Sequence, residues 1–171
     1  DFARDMIDRI LDLPNLQLAG LHAHIGSQIL DPLVHSQAVS VLEEIALWVM
    51  NERGVELKTI NMGGGFGIDY EAGGAPLNVE AVAEQVVPSV RRLGVQLVLE
   101  PGRFVSGPAG TLLTKVLYVK KGSVKTFVIV DASMTELLRP SLYAAFHRIM
   151  PIKESSKEGK QQKVDVVGPV C

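Results

Sequence analysis

The fold is decided by an apolar strand that runs directly into a glycine-rich turn, Leu57-Lys58-Thr59-Ile60-Asn61-Met62-Gly63-Gly64-Gly65-Phe66-Gly67. A long helical pattern precedes this stretch, from about Val34 to Arg53, and Gly54 takes the position that ends a helix. A second helical pattern follows it, from about Val79 to Leu93. A strand between two helices in this order is typical of a parallel β/α unit.

The same alternation extends in both directions along the chain. Toward the amino terminus, a helical pattern over Phe2–Leu13 precedes an apolar strand over Leu16–Ala23. Toward the carboxyl terminus, a third strand over Gln96–Glu100 leads into Pro101-Gly102-Arg103. These units predict an α/β fold with a parallel sheet, which is either a small open sheet or part of a (β/α)8 TIM-type barrel. Three units are too few to close such a barrel alone.

The pattern changes near Gly107, and the residues that follow are predicted to be rich in strands. The predicted elements are strands over Thr111–Lys120, Thr126–Val130 and Val164–Val167, a hairpin break at Lys121-Gly122-Ser123 and a helix over Leu137–Met150. We therefore expect parallel β/α units, from a partial barrel or an open sheet, over residues 1–107 and the beginning of a β-rich domain over residues 108–171.

The composition excludes several classes of function. A formal net charge of −2 over 171 residues gives no basic surface for nucleic acid. No apolar run reaches the roughly 18 residues that span a bilayer, so no membrane segment is expected. The single cysteine excludes an internal disulfide and favours a reducing, cytoplasmic setting. Because the chain opens Asp1-Phe2 and stops directly after a predicted strand, we expect an internal piece of a longer protein.

Three consecutive strand ends carry residues that could do chemistry. In parallel β/α folds the reactive groups lie at the carboxyl ends of the strands. Those ends carry His22-Ala23-His24-Ile25-Gly26-Ser27, then the glycine run from Gly63 to Gly67, then Glu100-Pro101-Gly102-Arg103. Three strand ends loaded in this way indicate a functional site.

The glycine run has two interpretations when it is taken alone. Its bare backbone amides could wrap a phosphate, since glycine permits a tight turn and a close approach. It could equally be a strand-to-loop turn without a ligand. It is not a dinucleotide fingerprint, because Ile68 stands where that motif needs glycine, and it is not a P-loop, because no Gly-Lys-Ser/Thr follows.

Glu100 and Arg103 are ambiguous in the same way. A carboxylate at a strand end can hold a proton on a ring nitrogen, and arginine can grip a carboxylate or phosphate with two parallel hydrogen bonds. For this tetrapeptide alone, a structural ion pair around the Pro-Gly turn is the simpler explanation.

The histidines allow a metal site as an alternative. His22 and His24 share one face of a strand, at the spacing of a metal pair that a barrel hydrolase would use. His35 and His147 lie in helical patterns and do not supply the further ligands that such a site needs. Stacking on a flat cofactor is the better use for one of these two histidines, and a core histidine is the simpler interpretation of His22.

Taken together, these segments resemble the diaminopimelate decarboxylases, which belong to the alanine-racemase-like, fold-type III enzymes that use pyridoxal phosphate. The resemblance covers nearly the whole chain in the right order and rests on Gly20–Gln28, Asn61–Tyr70, Leu99–Arg103, Asp131-Ala132-Ser133-Met134, Arg139-Pro140-Ser141-Leu142-Tyr143 and Gly168-Pro169-Val170-Cys171. It implies that the three strands are the sixth, seventh and eighth strands of the family's barrel.

The resemblance also implies the residues that bind pyridoxal 5'-phosphate. His24 would stack on the cofactor ring, and Glu100 would keep the pyridine nitrogen protonated so that the ring can absorb electrons. Ser27 and the backbone amides of the glycine run would hold the phosphate, with help from the turn after Glu100. The implied phosphate-binding set is Ser27, Gly63, Gly64, Gly65, Pro101, Gly102 and Arg103.

For the substrate, the resemblance implies decarboxylation of meso-2,6-diaminopimelate to L-lysine and CO2 in lysine biosynthesis. Arg103, Arg139 and Tyr143 would bind the far end of this amino acid, which carries a second carboxylate. Cys171 matches a proton-donating cysteine that reaches across a homodimer into the partner's site. Related decarboxylases of ornithine, arginine or carboxynorspermidine are the alternative, although the ornithine enzymes lack the Arg-Pro-x-Leu-Tyr pattern.

One element of the family's site has no counterpart in these residues. The family attaches its cofactor to a lysine at the end of the first barrel strand, whereas Lys58 lies at the start of a strand and the lysines from Lys115 to Lys125 fall in the β-rich region. We therefore expect a piece that is inactive alone, and a non-catalytic fragment that only binds the cofactor is the other possibility.

Overall fold

The structure, a computed structural model, describes residues 2–70, 74–153 and 162–170. The chain divides into two compact units. The first unit comprises Asp1–Asp69 and Ala75–Ala109, and the second comprises Tyr70–Gly74 and Gly110–Cys171.

The first unit is a parallel sheet with helices between its strands. Its strands are β1 (Gly20–His22), β2 (Thr59–Asn61) and β3 (Gln96–Val98), in the order β1-β2-β3. Both neighbouring pairs are parallel, which confirms the predicted β/α alternation. The helices are α1 (Phe2–Leu11), α2 (Pro32–Glu52), α3 (Val79–Leu93) and α4 (Gly102–Ser106).

The strands are shorter than the sequence predicted. The apolar stretches Leu16–Ala23, Leu57–Met62 and Gln96–Glu100 contribute only three residues each to the sheet. After β2 the backbone turns at Gly63 and Gly65, whose φ angles of 64° and 90° are incompatible with an extended strand. The apolar composition predicted which segments form strands. It did not predict where their hydrogen-bonded pairing with the neighbouring strands ends.

Two helix ends explain the other differences. The Leu33 N–H donates to the Asp31 carboxylate at 2.9 Å, and Pro32 fills the first helical position, so α2 begins before the predicted start at Val34. α3 has its predicted bounds and ends at Gly94, which adopts the left-handed φ of 69°. The five-residue helix α4 was not predicted, because it is too short to show a helical period.

The core of the first unit lies between the sheet, α2 and α3. Its central buried side chains are Val39, Leu42, Ala46, Val49, Ile60, Met62, Val82, Val86, Val90 and Leu93. Full burial of one such large aliphatic side chain stabilises a fold by about 1.5–3 kcal/mol. This packing fixes β2 between the two helices, and β2 leads into the glycine run.

The helix α2 is the most apolar long helix among the described residues. Its 21 residues are long and apolar enough to cross a membrane by length and composition, although no such segment was expected. In this fold α2 packs against α3 and β1, with Val39 and Val49 buried. The helix therefore serves here as a core helix of the first unit.

The second unit is a small mixed sheet with the order β4-β5-β6. Its strands are β4 (Val116–Lys121), β5 (Thr126–Val130) and β6 (Val164–Val167). β4 and β5 form the predicted antiparallel hairpin, and β6 pairs parallel with β5. The helix predicted over Leu137–Met150 is wrong over most of its length: only α5 (Arg139–Tyr143) forms, because Ala144 adopts a φ of 49° and ends it.

Candidate functional site

The three predicted strand-end loops converge at the carboxyl edge of the first unit's sheet. Backbone hydrogen bonds join them just beyond the strands. The Ala23 N–H donates to Asn61 O at 3.0 Å, and the Glu100 N–H donates to Gly63 O at 2.7 Å. Because each bond links one loop to the next, the histidine loop, the glycine run and the Glu100 turn are neighbours in space.

The glycine run is required by the close approach of these loops. A Cβ added to Gly64 would lie 2.5 Å from Glu100 O, and a Cβ on Gly65 would overlap Gly26 O. Gly63 also lies against His24, where a Cβ would come 3.0 Å from Nδ1. These contacts leave no space for side chains, so backbone rather than side chain lines this part of the site.

The amides of the glycine run are not equally free. The Gly63 N–H donates to Asn61 Oδ1 at 2.8 Å, and the Gly64 N–H donates to His24 Nδ1 at 3.2 Å. Among the residues that the structure describes, the Gly65 N–H meets no hydrogen-bond acceptor. All three amides were predicted to hold a phosphate, and only that of Gly65 is uncommitted here.

His24 and Ser27 present polar groups on an exposed loop. Because Nδ1 of His24 accepts the Gly64 amide, the neutral ring carries its proton on Nε2, and the ring orientation is fixed relative to the glycine run. Ser27 is exposed, and within the described ranges its hydroxyl has no hydrogen-bond partner. The loop that carries this ring and this hydroxyl also contains Gly26, whose carbonyl oxygen lies against Gly65.

Glu100 is held by a residue to which the sequence assigned no role. Its Oε1 accepts a hydrogen bond from Asn61 Nδ2 at 2.7 Å, and His22 Nε2 lies 3.9 Å from the same oxygen. The side chain of Glu100 is 54% exposed. This places His22 beside the carboxylate at the site edge, whereas a core position had been the simpler interpretation.

Arg103 lies on α4 and is positioned by Gln28, which the sequence also left without a role. Arg103 Nη1 donates to Gln28 Oε1 at 3.2 Å. Gln28 adopts a left-handed φ of 61° and brackets the backbone of Ile68, donating from Nε2 to Ile68 O at 2.5 Å and accepting the Ile68 N–H at 3.3 Å. One side chain therefore joins the loops that follow β1, β2 and β3.

Pro101 and Gly102 form the turn between Glu100 and Arg103. The Gly102 N–H donates to Glu100 O at 2.8 Å, and Pro101 precedes the first residue of α4. This turn joins Glu100, which follows β3, to α4, which carries Arg103.

The predicted substrate residues Arg139 and Tyr143 belong to the second unit. Both lie on α5, where the guanidinium carbon of Arg139 is 5.5 Å from the centre of the Tyr143 ring. Tyr143 is 64% exposed, so its ring is open to solvent on this unit. The predicted proton donor Cys171 lies outside the described residues.

The alternative of a metal site at His22 and His24 finds no further ligands among the described residues. Across residues 2–70, 74–153 and 162–170, no group of three or more His, Cys, Asp or Glu side chains could hold a metal ion. Lys58, the lysine of the first unit, precedes β2 at the opposite edge of the sheet. It is therefore badly placed to attach a cofactor at the carboxyl edge.

The arrangement fits pyridoxal phosphate. The glycine run forms a backbone cradle that any Cβ would fill, with the Gly65 amide and the Ser27 hydroxyl as uncommitted donors. The exposed His24 ring offers a stacking face, and Glu100 offers a carboxylate for a ring nitrogen. Pyridoxal phosphate has a phosphate for the uncommitted donors, a flat ring for His24 and a basic ring nitrogen for Glu100.

The chain resembles known proteins over most of its length. The family described as pyridoxal-dependent decarboxylase, pyridoxal binding domain, matches residues 2–107. The diaminopimelate decarboxylase of Neisseria meningitidis serogroup B is 42% identical over 161 residues, covering 92% of this chain and 37% of that protein. The diaminopimelate decarboxylase of Aquifex aeolicus is 38% identical over 160 residues, covering 93% of this chain and 37% of that protein.

A solved structure has a similar fold over nearly the whole chain. The crystal structure of diaminopimelate decarboxylase from Helicobacter pylori complexed with L-lysine matches with a TM-score of 0.88 at 36% identity. The match covers 99% of this chain and 41% of that chain. The chain therefore spans about two fifths of the length of the proteins it resembles.

Proposed function

The chain belongs to the pyridoxal-dependent decarboxylases, and we propose that the protein of which it forms a part decarboxylates meso-2,6-diaminopimelate to L-lysine and CO2. The observation that carries the proposal is the convergence of His24, the glycine run and Glu100 at one edge of a parallel sheet. Because the chain spans about two fifths of its relatives' length, the activity is proposed for the longer protein, called here the parent decarboxylase.

Pyridoxal phosphate, when bound, supplies a ring that absorbs the electron pair left as CO2 departs. Glu100 would hold a proton on the pyridine nitrogen, and the positive charge maintained in this way would strengthen the electron withdrawal. His24 would lie against one face of the ring and hold it in place. The hydrogen bond from the Gly64 amide to His24 Nδ1 supports this role, because it fixes the imidazole before any ligand arrives.

The Ser27 hydroxyl and the Gly65 amide would be the main donors to the phosphate. Both are donors without an acceptor among the described residues, whereas the Gly63 amide is bonded to Asn61 at 2.8 Å. The Gly64 amide is bonded to His24 Nδ1 at 3.2 Å, and this bond keeps the imidazole in place. The loop after β3 completes the proposed phosphate site. It contributes the turn of Pro101 and Gly102 and the guanidinium of Arg103.

The substrate's far carboxylate is the feature that distinguishes diaminopimelate from ornithine or lysine. Arg103 and Arg139 can each bind a carboxylate through two parallel hydrogen bonds. Tyr143 supports Arg139 through the cation–π contact on α5. Cys171 donates the proton that replaces the lost carboxylate, and it does so in the partner's site of a homodimer.

The relatives support this choice of substrate. Those of Neisseria meningitidis serogroup B and Aquifex aeolicus are named diaminopimelate decarboxylase, and the Helicobacter pylori structure holds L-lysine. L-lysine is the product of the proposed reaction. The organisms are bacteria, and a biosynthetic enzyme of this class works in the cytoplasm.

The rest of the architecture is proposed on the same basis. β1, β2 and β3 are the sixth, seventh and eighth strands of a (β/α)8 barrel, and residues 1–107 are its carboxyl-terminal part. Residues 108–171 begin the following β-rich domain, which the division into two units near Ala109 supports. The lysine that attaches the cofactor comes from the remainder of the parent decarboxylase.

A substrate panel tests the proposal. The purified parent decarboxylase is supplied with pyridoxal phosphate and separately with meso-diaminopimelate, ornithine, arginine and carboxynorspermidine, and the CO2 and amine products are measured by mass spectrometry. We expect L-lysine from diaminopimelate and at most slow turnover of the other three. Turnover of ornithine, arginine or carboxynorspermidine without turnover of diaminopimelate would contradict the proposed substrate, and cofactor binding without any turnover would contradict the proposed enzyme.

A further inference from the structure

Asn61 joins two parts of the site that the proposed chemistry uses separately. It is the last residue of β2 and stands two positions before Gly63. Its Oδ1 accepts the Gly63 N–H at 2.8 Å, and its Nδ2 donates to Glu100 Oε1 at 2.7 Å. One carboxamide therefore bonds both the start of the glycine run and the carboxylate assigned to the ring nitrogen.

Only one orientation of this carboxamide satisfies both partners. A backbone N–H needs an acceptor and a carboxylate needs a donor, and the two ends of an asparagine side chain provide one of each. If the amide were flipped, its NH2 group would face the Gly63 N–H and its oxygen would face Glu100. The donor and acceptor assignment is therefore fixed by chemistry on both sides.

The bond to Asn61 restrains a side chain that would otherwise move. Glu100 is 54% exposed, and an exposed glutamate has several rotamers of similar energy. His22 Nε2, at 3.9 Å, is too far away for a short hydrogen bond to Oε1. Within the described residues no donor bonds Oε2, so the restraint acts on one oxygen and leaves the other available.

We propose that Asn61 is a positioning residue that fixes the Glu100 carboxylate so that Oε2 stays available to the pyridine nitrogen of bound pyridoxal phosphate. This inference rests on the proposed function, because it takes Glu100 as the partner of the ring nitrogen. Asn61 acts through Glu100 and through the glycine run, and it does not itself touch the cofactor.

The substitution Asn61→Asp separates the two bonds. Aspartate has the same shape and still offers an oxygen to the Gly63 N–H, but it has no N–H to donate to Glu100. Two carboxylates then face each other where a charge-assisted bond existed. Asn78→Asp is the matched control, because the exposed Asn78 accepts the Ala81 N–H at 3.0 Å as the cap of α3 and gains the same charge.

The measurement is a titration of each parent decarboxylase variant with pyridoxal phosphate, followed by its visible absorption band from pH 8 to pH 5. We expect Asn61→Asp to weaken cofactor binding about 10-fold or more at pH 8, which corresponds to loss of one charge-assisted hydrogen bond. The deficit relative to wild type should shrink toward pH 5, where a shared proton lets one carboxyl donate to the other. Asn78→Asp should match wild type throughout.

The outcomes separate this inference from the proposed function. Wild-type affinity and an unchanged absorption band in Asn61→Asp would overturn the positioning role. Failure of the wild-type protein itself to bind pyridoxal phosphate would overturn the proposed function instead.

A second variant covers the case in which Asn61→Asp does not fold. In the double variant Asn61→Asp with Glu100→Gln, the residue 100 amide can donate to the residue 61 carboxylate, so the bond is restored with reversed polarity. We expect this double variant to regain the wild-type circular dichroism spectrum. If it also fails to fold, the contact between residues 61 and 100 is not what Asn61 supplies, and the inference is wrong.

Discussion

The imidazole ring of His35 stacks on the phenyl ring of Phe66, with 4.9 Å between the ring centroids and 16° between the ring planes. His35 belongs to α2, whereas Phe66 belongs to the glycine run. Phe66 also meets the edge of Phe104 at 6.4 Å. Phe66 therefore anchors the glycine run, which is assigned to the cofactor phosphate, in the core. Its contact there is with His35 of α2.

His35 should make stability depend on pH. The ring is fully buried, and within the described residues neither nitrogen has a hydrogen-bond partner, so burial lowers the pKa of His35 below its ordinary value. The unfolded chain then takes up the proton at a higher pH than the folded one. The contribution of His35 to the free energy of unfolding is therefore largest above about pH 6.5. Below that pH the free energy of unfolding falls, by up to about 1.4 kcal/mol per pH unit.

Urea unfolding followed by the fluorescence of Trp48, the only tryptophan in these 171 residues, measures this dependence. The variant His35→Phe keeps an aromatic ring against Phe66 but cannot take up a proton. Its free energy of unfolding should fall less steeply between pH 7 and pH 5 than that of the wild type. Equal slopes for the two proteins would show that His35 does not contribute.

Gly65→Ala should damage the site itself. Gly65 has a φ of 90°, and a Cβ would overlap Gly26 O, so alanine must displace the loop that carries the uncommitted amide. We expect pyridoxal phosphate to bind about 10-fold more weakly or worse, since one hydrogen bond to a charged group is lost. The measurement is a cofactor titration of the parent decarboxylase.

Gly94→Ala is the control for that substitution. Gly94 has a comparable φ of 69°, but a Cβ there would meet nothing within 4 Å. Alanine should cost about 1–2 kcal/mol of stability from the left-handed backbone alone and leave the cofactor affinity unchanged. If both glycine variants lose affinity equally, the effect is general destabilisation and not loss of the cradle.

Gln28→Leu should weaken the positioning of Arg103 and loosen the loop after the glycine run. The leucine keeps the bulk but removes the bonds to Ile68 and to the Arg103 guanidinium. Because two backbone groups and one arginine lose partners, we expect kcat/KM of the parent decarboxylase to fall by about 10-fold or more. Steady-state kinetics with diaminopimelate measure it, and an unchanged kcat/KM would refute the positioning of Arg103 by Gln28.

Arg139→Ala should impair diaminopimelate selectively. Loss of the guanidinium removes a partner for the far carboxylate, so KM for diaminopimelate should rise about 10-fold or more while cofactor binding is unaffected. Arg148→Ala is the matched control, since Arg148 is exposed and carries no proposed role. Normal kinetics in Arg139→Ala would contradict the assignment of the distal carboxylate.

The sequence predicted the parts of this site that are encoded locally. A strand followed at once by histidines, glycines or Glu-Pro-Gly-Arg places polar groups at the carboxyl edge of a parallel sheet, and the structure brings these loops together. The φ angles of Gly63 and Gly65 explain why glycine is needed there. The ordered motifs also predicted the family.

The missed residues act over long sequence distances. Asn61 bonds Glu100, which is 39 positions away, and Gln28 bonds Arg103, which is 75 positions away. No periodicity or spacing rule links such pairs, because their contact depends on the register of the sheet. The polar residue at the last position of β2, aimed at the site edge, is the signal that could have identified Asn61.

Local rules also failed where backbone geometry prevailed over pattern. The helical pattern over Leu137–Met150 did not continue past Tyr143, because the left-handed Ala144 ends the helix. The long helix α2 was predicted from its pattern, and its apolar residues pack in the core of the first unit.

The most direct test of the account is a crystal structure of the parent decarboxylase with pyridoxal phosphate. We predict phosphate oxygens within hydrogen-bond distance of the Ser27 hydroxyl and the Gly65 amide, the ring against His24, and the pyridine nitrogen bonded to Glu100 Oε2. A cofactor bound elsewhere, or one whose ring nitrogen does not meet Glu100, would contradict the assignment of this edge of the sheet as the cofactor site.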